Sequence, residues 1–121
     1  MHHIDVHVRD LAAAKTLIDA IASEVGYRCR YAGEDFVGYE TAEGGRPRFG
    51  LILDAEGGGT MRMAWHVADR AAVDRAGALV HANGGRAVEG PGLNPEYGDD
   101  YYAVFFEDGD GNKYEILTGE G

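Results

Sequence analysis

The most constraining feature of this chain is an internal repeat, because its two halves carry the same order of motifs. In each half, an aspartate suited to capping a helix is followed by apolar residues at helical spacing and then by a glycine. The first run extends from Asp10 to Gly26 and the second from Asp69 to Gly85, so both ends are offset by 59 positions. The repeat predicts two equivalent helices, over residues 10–25 and 69–83.

Strand-like segments surround each predicted helix. The alternating segments "HHIDVHVR" and "MRMAWHVA" precede the helices, and three further strand-like segments separated by glycine-bearing turns follow each helix. The glycine-rich segment "AEGGGT" joins the halves. One helix covers only one face of such a sheet, so the two sheets are expected to curl together. We predict an α+β fold in a single domain (1–121), in which two tandem βαβββ modules (1–55 and 60–119) form a curved mixed sheet around a cavity, with the helices outside.

Composition excludes several classes of partner. The 121 residues carry 21 acidic and 11 basic side chains, a formal net charge of −10, which argues against nucleic-acid binding. No apolar run approaches the roughly 20 residues needed to cross a bilayer, so we expect no membrane partner. The first residues also lack the features of a signal peptide. Cys29 is the single cysteine of the sequence, which excludes an internal disulfide and favours a cytoplasmic location.

The opening strand raises the question of a metal or catalytic site. His3, Asp5 and His7 share one side of an extended strand, because side chains alternate between the two faces. His66 stands 59 positions after His7 and is expected on the equivalent face of the second module. The residues alone leave three interpretations open: a metal site, a catalytic cluster, or polar side chains that line a wet cavity.

Aromatic side chains cluster around a turn-rich loop of the second module. Tyr97 and Tyr101 lie in "EGPGLNPEYGDDYY", whereas Phe105 and Phe106 are expected in the core. Loops that carry aromatic side chains beside a cavity commonly form ligand pockets. We therefore predict that a small organic molecule is bound by five residues: His7, Trp65, His66, Tyr97 and Tyr101.

The aspartate-rich segment "DGDGN" (Asp108 to Asn112) is similar to a calcium-binding loop but lacks two of its required residues. Lys113 stands where such a loop needs glycine, and Gly119 stands where it needs a bidentate glutamate. We predict that the segment is a tight hairpin loop before the last strand.

The closing segment also makes a family comparison possible. The stretch "FFEDGDGNKYEIL" resembles the "F-x-D-P-D-G-N-x-x-E-L" pattern of the vicinal oxygen chelate superfamily, and "HIDVHVRDLAAAKTLI" resembles its opening strand and helix. The superfamily includes glyoxalase I, bleomycin-resistance and fosfomycin-resistance proteins, and extradiol dioxygenases. The resemblance covers essentially the whole chain. The stretch from Gly90 to Ile116 resembles a glyoxalase-like bacterial branch.

The resemblance implies a metal site whose four ligands come from the first and last strands of each module. By position, these ligands fall on His3, Gly50, Arg62 and Glu115. Arginine has no lone pair to give and glycine has no side chain, so His3 and Glu115 remain as candidate metal ligands. The same positions make His3, Arg62 and Glu115 the candidate catalytic residues. We expect Arg62 to face Glu115 inside the cavity near His3, supplying positive charge where the family has a metal.

Three functions stay open at this point. The resemblance implies a lyase or dioxygenase of the glyoxalase type that uses a divalent metal. By their strand faces, His7 and His66 would supply two imidazoles and Glu115 a carboxylate to a displaced site for such a metal. The degenerate ligand set instead favours metal-free binding of a small organic molecule, as the resemblance implies for the bleomycin-resistance branch. A third reading is metal-free acid/base catalysis by His3 or His66 with Glu115. The resemblance further implies a homodimer, because the superfamily often assembles its cavities by pairing or exchanging modules.

Overall fold

A computed structural model describes residues 3–59 and 61–119, and the elements it contains repeat one order twice. The first module consists of β1 (His3–Val8), α1 (Leu11–Ala22), β2 (Tyr27–Ala32), β3 (Phe36–Thr41) and β4 (Arg48–Leu53). The second module consists of β5 (Arg62–His66), α2 (Arg70–Ala82), β6 (Arg86–Leu93), β7 (Tyr102–Glu107) and β8 (Lys113–Thr118). The predicted α+β fold with two tandem βαβββ modules is confirmed. The predicted module boundaries at residues 1 and 60 lie outside the described residues.

Both helices begin where the sequence predicts. The side chain of Asp10 accepts a hydrogen bond from the backbone nitrogen of Ala13 (3.0 Å), and Asp69 caps α2 in the same way. Helix α1 is shorter than predicted, because residues 23–26 continue it as turns in which most hydrogen bonds run to carbonyls three residues earlier. Within residues 3–59 and 61–119, neither helix has the length and apolar character needed to cross a membrane.

The eight strands form two four-stranded mixed sheets with matching topology. The strand order is β1-β4-β3-β2 in the first sheet and β5-β8-β7-β6 in the second. In both sheets the first and last strands of the module pair in parallel, and the remaining pairs are antiparallel. The predicted hairpin loop, 108–112, joins β7 to β8, as expected.

The helix-bearing faces of the two sheets share one hydrophobic core. Phe49 on β4 contacts Trp65 on β5 with ring centroids 5.5 Å apart, and Trp65 stacks on Tyr114 of β8. These rings are almost entirely buried, and their burial joins the modules through the hydrophobic effect. Because side chains alternate along a strand, the opposite face of each sheet is left for polar residues and for a site.

The joint between the modules is packed in place by the hairpin loop. The amide of Asn112, which is fully buried, donates to the carbonyl of His7 (3.1 Å) and accepts from the backbone nitrogen of Gly59 (3.0 Å). A Cβ atom at Gly58 would lie 2.6 Å from the carbonyl oxygen of His7, and one at Gly59 would lie 2.6 Å from that of Asp110. The glycines of this linker therefore allow close backbone approach, in addition to joining the two copies.

Candidate functional site

The outer face of the second sheet holds a cavity of about 360 Å³. Among the described residues, those that line it belong to β5, β6, β7, β8 and the loop between β6 and β7. This loop is the aromatic segment identified in the sequence. The cavity is large enough for a small organic molecule.

The cavity carries more acidic than basic side chains. Lys113 and Glu107 neutralise each other through an ion pair of 3.1 Å. Among the described lining residues, three further carboxylates, those of Glu89, Glu96 and Glu115, accompany a single remaining cation, Arg62. The side chain of Arg62 makes no hydrogen bond or ion pair with any residue that the structure describes. Its guanidinium is therefore available to a ligand.

Glu115 is held in position by Tyr101. The tyrosine hydroxyl donates a hydrogen bond to the Oε2 atom of Glu115. Burial and the neighbouring Glu115 carboxylate raise the pKa of Tyr101 to about 12, so the phenol stays protonated and remains a donor at neutral pH. The other carboxylate oxygen has no protein hydrogen bond among the described residues, so Glu115 offers a fixed acceptor to the cavity.

Aromatic rings form the mouth of the cavity. Tyr97 is 53% exposed. Its ring centroid lies 5.2 Å from that of Tyr101 and 6.5 Å from that of Phe105. Tyr101 contacts both Glu115 and Tyr97, but it is not among the residues that line the cavity. The expectation that Phe105 belongs to the core is wrong, because strand alternation turns it to the outer face while Val104 and Phe106 are buried.

His3 lies on the first sheet, away from this cavity. Its Nε2 atom is 2.6 Å from Oδ1 of Asp5, and its ring stacks on Phe36 at 6.3 Å. Arg62 and Glu115 line one cavity, as expected, but His3 is not among the residues that line it. Within one chain, the structure therefore brings together two of the three candidate catalytic residues.

Gly50 is covered by an aromatic ring. A Cβ atom at this position would lie 2.5 Å from the Phe36 ring and 2.9 Å from Oδ1 of Asp5. A metal-binding side chain at Gly50 would therefore require Phe36 to move. In the first module, the Phe36 ring therefore fills the place where the family has a metal ligand, and this ring has no donor atom.

The two other candidate histidines, His7 and His66, have separate partners. The Nδ1 atom of His7 is 2.9 Å from Oδ2 of Asp54, and the Nε2 atom of His66 is 3.0 Å from the carbonyl oxygen of Gly119. The pKa of Asp54 is lowered, first by the backbone nitrogen of Glu56 and then by His7. Neither histidine lines the cavity of Glu115.

The side chains present do not fit the metal site of the family. In the part of the chain that the structure describes, no three His, Cys, Asp or Glu side chains lie close enough to hold a metal ion together. Four positions of this chain match the metal ligands of the family. Gly50 has no side chain and the side chain of Arg62 has no lone pair to donate, while His3 and Glu115 lie on different sheets. The displaced set of His7, His66 and Glu115 is likewise not assembled within one chain.

Trp65 has a structural role in addition to any role in binding. Only 7% of it is exposed, and it contacts Phe49 and Tyr114 in the core. It also lines a second cavity, of about 270 Å³, at the junction of the modules. The sequence predicted that Trp65 and Tyr97 bind the same molecule. In the structure, Trp65 lines the junction cavity and Tyr97 lines the cavity of Glu115.

Three solved structures illustrate the similarity of this fold to known proteins. A glyoxalase/bleomycin resistance protein from Albidiferax ferrireducens superposes with a TM-score of 0.77 at 26% identity, over 98% of both chains. A putative glyoxalase from Bacillus halodurans gives 0.75 at 22% identity, over 98% of this chain and 95% of that one. The fosfomycin resistance protein FosX from Mesorhizobium loti gives 0.71 at 18% identity, over 98% of this chain and 91% of the other.

Comparisons of sequence alone give no match. Neither a protein-family model nor a curated protein matches this chain. The similarity is therefore carried by the three-dimensional arrangement of the two modules, and it extends over essentially the whole chain.

Proposed function

We propose, from the premise that this chain belongs by fold to the vicinal oxygen chelate superfamily, that it binds a small organic molecule in the cavity of its second sheet. One observation carries the proposal: an aromatic mouth and an oriented carboxylate meet in a single cavity. Such a combination of an apolar surface with a few fixed polar groups is typical of ligand sites.

Each wall of the cavity suits one part of a ligand. Tyr97 and Phe105 offer ring surfaces against which a planar or apolar group can pack. Glu115 accepts a hydrogen bond from an amine or hydroxyl group, and Arg62 pairs with an anionic group. No step of this proposal uses a metal, because the donor set does not fit one.

Glu115 is also the group of this cavity best placed to accept a proton from a bound molecule. Its geometry is fixed by Tyr101, which leaves one carboxylate oxygen for the ligand. Any turnover should therefore be lost in Glu115→Gln while binding persists, since the amide keeps the shape of the side chain but cannot take up a proton.

We further propose that the protein acts as a homodimer. The outer face of the first sheet carries the His3–Asp5 pair together with Phe36 and Tyr31, and 56% of Tyr31 is exposed. A second copy could cover this face with its own second sheet and so close the open cavity. This arrangement would bring His3 of the partner subunit to Glu115, as the family resemblance implies.

A ligand screen by thermal shift tests the binding proposal. Tyr97→Ala should weaken a bound hit by at least about tenfold, because it removes an aromatic wall of the site. Leu93→Ala is the matched control, since Leu93 is equally exposed (53%) but does not line the cavity, and it should change affinity by less than about twofold. Hits that bind equally to the unmodified protein and to Tyr97→Ala would refute the assignment of this cavity.

A further inference from the structure

The cavity of about 270 Å³ at the junction of the modules has an unusual charge distribution. Apolar and aromatic side chains form most of its walls, among them Ile4, Phe49, Met63 and Trp65. Two arginines, Arg48 and Arg62, also line it, and none of the described residues in its wall is acidic. The protein as a whole has a net charge of −10, so two guanidinium groups without an acidic partner stand out.

Arg48 is the more informative of the two arginines. Its Nε atom is buried and is the one buried side-chain nitrogen or oxygen without a hydrogen-bond partner among the residues that the structure describes. A buried donor left unpaired destabilises the folded protein. Two cations that border one cavity also repel each other. Both costs would be removed by an anion that accepts hydrogen bonds from the guanidinium groups.

We propose that this cavity binds a carboxylate that has a compact apolar body. The planar fork of arginine matches the two oxygens of a carboxylate, and the apolar walls suit a small aromatic or branched aliphatic group. A cationic ligand is disfavoured there, because the part of the wall that the structure describes has two positive charges and no negative one. This site adjoins the cavity of Glu115, and the two share the wall formed by Arg62, Met63 and Ala64, whereas Arg48 and Trp65 line the junction cavity alone.

Trp65 makes the proposal directly measurable. It is the single tryptophan of the sequence and it lines the cavity, so the intrinsic fluorescence reports on this site. The probes are 3-phenylpropionate and its uncharged analogue 3-phenylpropionamide, which differ in charge but not in the apolar body. The carboxylate should change the fluorescence in a saturable way and bind at least about tenfold more tightly than the amide. Equal affinities, or no saturable change with the carboxylate at millimolar concentration, would overturn the proposal.

A substitution of Arg48 separates a ligand-binding role from a structural one. Arg48→Met should weaken 3-phenylpropionate binding by at least about tenfold, and it should raise the melting temperature of the free protein, because it removes an unpaired buried donor. Arg86→Met, at an exposed position on β6, should do neither. A lowered melting temperature with unchanged affinity would show that Arg48 is structural and would refute the proposal.

The variant Tyr97→Ala distinguishes this site from the cavity of Glu115. It should leave 3-phenylpropionate binding unchanged, because Tyr97 does not line the junction cavity. If Tyr97→Ala abolishes this binding while Arg48→Met does not, the carboxylate occupies the second-sheet cavity and the junction site is disproved. Failure at the junction would leave the proposed function of the other cavity standing.

Discussion

Gly50 and Glu115 occupy the same position in the two sheets. Gly50 pairs with Asp5 across β4 and β1, Glu115 pairs with Ala64 across β8 and β5, and 59 positions separate Asp5 from Ala64. One module therefore presents a carboxylate where the other presents no side chain. This difference makes the outer face of the second sheet a polar cavity, whereas Phe36 covers the corresponding place in the first sheet.

The first prediction concerns the contact between Gly50 and Phe36. Gly50→Ala should lower the free energy of unfolding by about 1–2 kcal/mol, because the added methyl group would lie 2.5 Å from the Phe36 ring. In a Phe36→Ala background the same substitution should cost less, since the ring is gone. Gly92→Ala serves as a control, because nothing lies within 4 Å of a Cβ atom there. Urea denaturation of the unmodified protein, Gly50→Ala, Phe36→Ala and the double variant measures how far the two substitutions depend on each other. If Gly50→Ala lowers the free energy of unfolding equally with and without Phe36, the contact is contradicted.

The second prediction concerns the pH dependence of the Tyr101–Glu115 hydrogen bond. The pKa of Tyr101 is raised to about 12, first by burial and then by Glu115, so its protonated form is favoured in the folded protein. Its contribution to stability should be complete below pH 10, the ordinary phenol value, and should be lost as the pH rises through about 12. The stability difference between the unmodified protein and Tyr101→Phe should narrow over this range. A difference that stays constant from neutral pH to pH 12 would count against the hydrogen bond.

The third prediction concerns the linker. Gly59→Ala should destabilise the protein by about 2 kcal/mol or more, because Gly59 has a φ of +88° and approaches the carbonyl of Asp110. Gly109→Ala, in the neighbouring loop, is the matched control, since its Cβ atom would meet nothing within 4 Å. Thermal unfolding compares the melting temperatures of Gly59→Ala and Gly109→Ala. Similar melting temperatures would mean that the linker is not held against the loop.

Much of the fold could be predicted from the sequence, because its signals are local and repeated. Asp10 and Asp69 cap their helices through contacts that span three residues, and the repeat distance sets the equivalence of the strands. The family resemblance, carried over by position, also predicted that Glu115 and Arg62 lie in one cavity. The loop 108–112 was predicted as a hairpin from its turn residues alone.

The contacts that build the sites are long-range, and no local pattern marks them. Nothing in the sequence indicates that Tyr101 bonds Glu115, since the two residues are on different elements. The isolation of His3 depends on how the sheets pack, which the repeat does not determine. Arg48 gave no signal either, because a lack of hydrogen-bond partners can be seen only after its neighbours are placed. Phe105 could have been assigned correctly, since it alternates with Val104 and Phe106.

The fourth prediction concerns the oligomeric state. We expect a homodimer at micromolar concentration, because a second copy would cover the outer face of the first sheet. Light scattering coupled to size-exclusion chromatography should give twice the chain mass of 13.0 kDa. Tyr31→Glu should shift the protein towards the monomer, since a charge would enter the proposed interface, whereas Leu53→Glu, at another exposed apolar residue, is the control. A monomeric mass for the unmodified protein would contradict this part of the account.

We propose that the cavity of Glu115 binds its ligand with side chains that do not assemble the metal site of the family. Isothermal titration calorimetry of zinc into metal-depleted protein tests it most directly. We predict no tight stoichiometric binding, because Arg62 and Gly50 supply no ligand side chain, so that even in the proposed dimer a metal would find only two ligands, Glu115 and His3 of the partner subunit. One zinc ion bound tightly per chain, with the binding abolished by His3→Ala and also by Glu115→Gln, would contradict the claim.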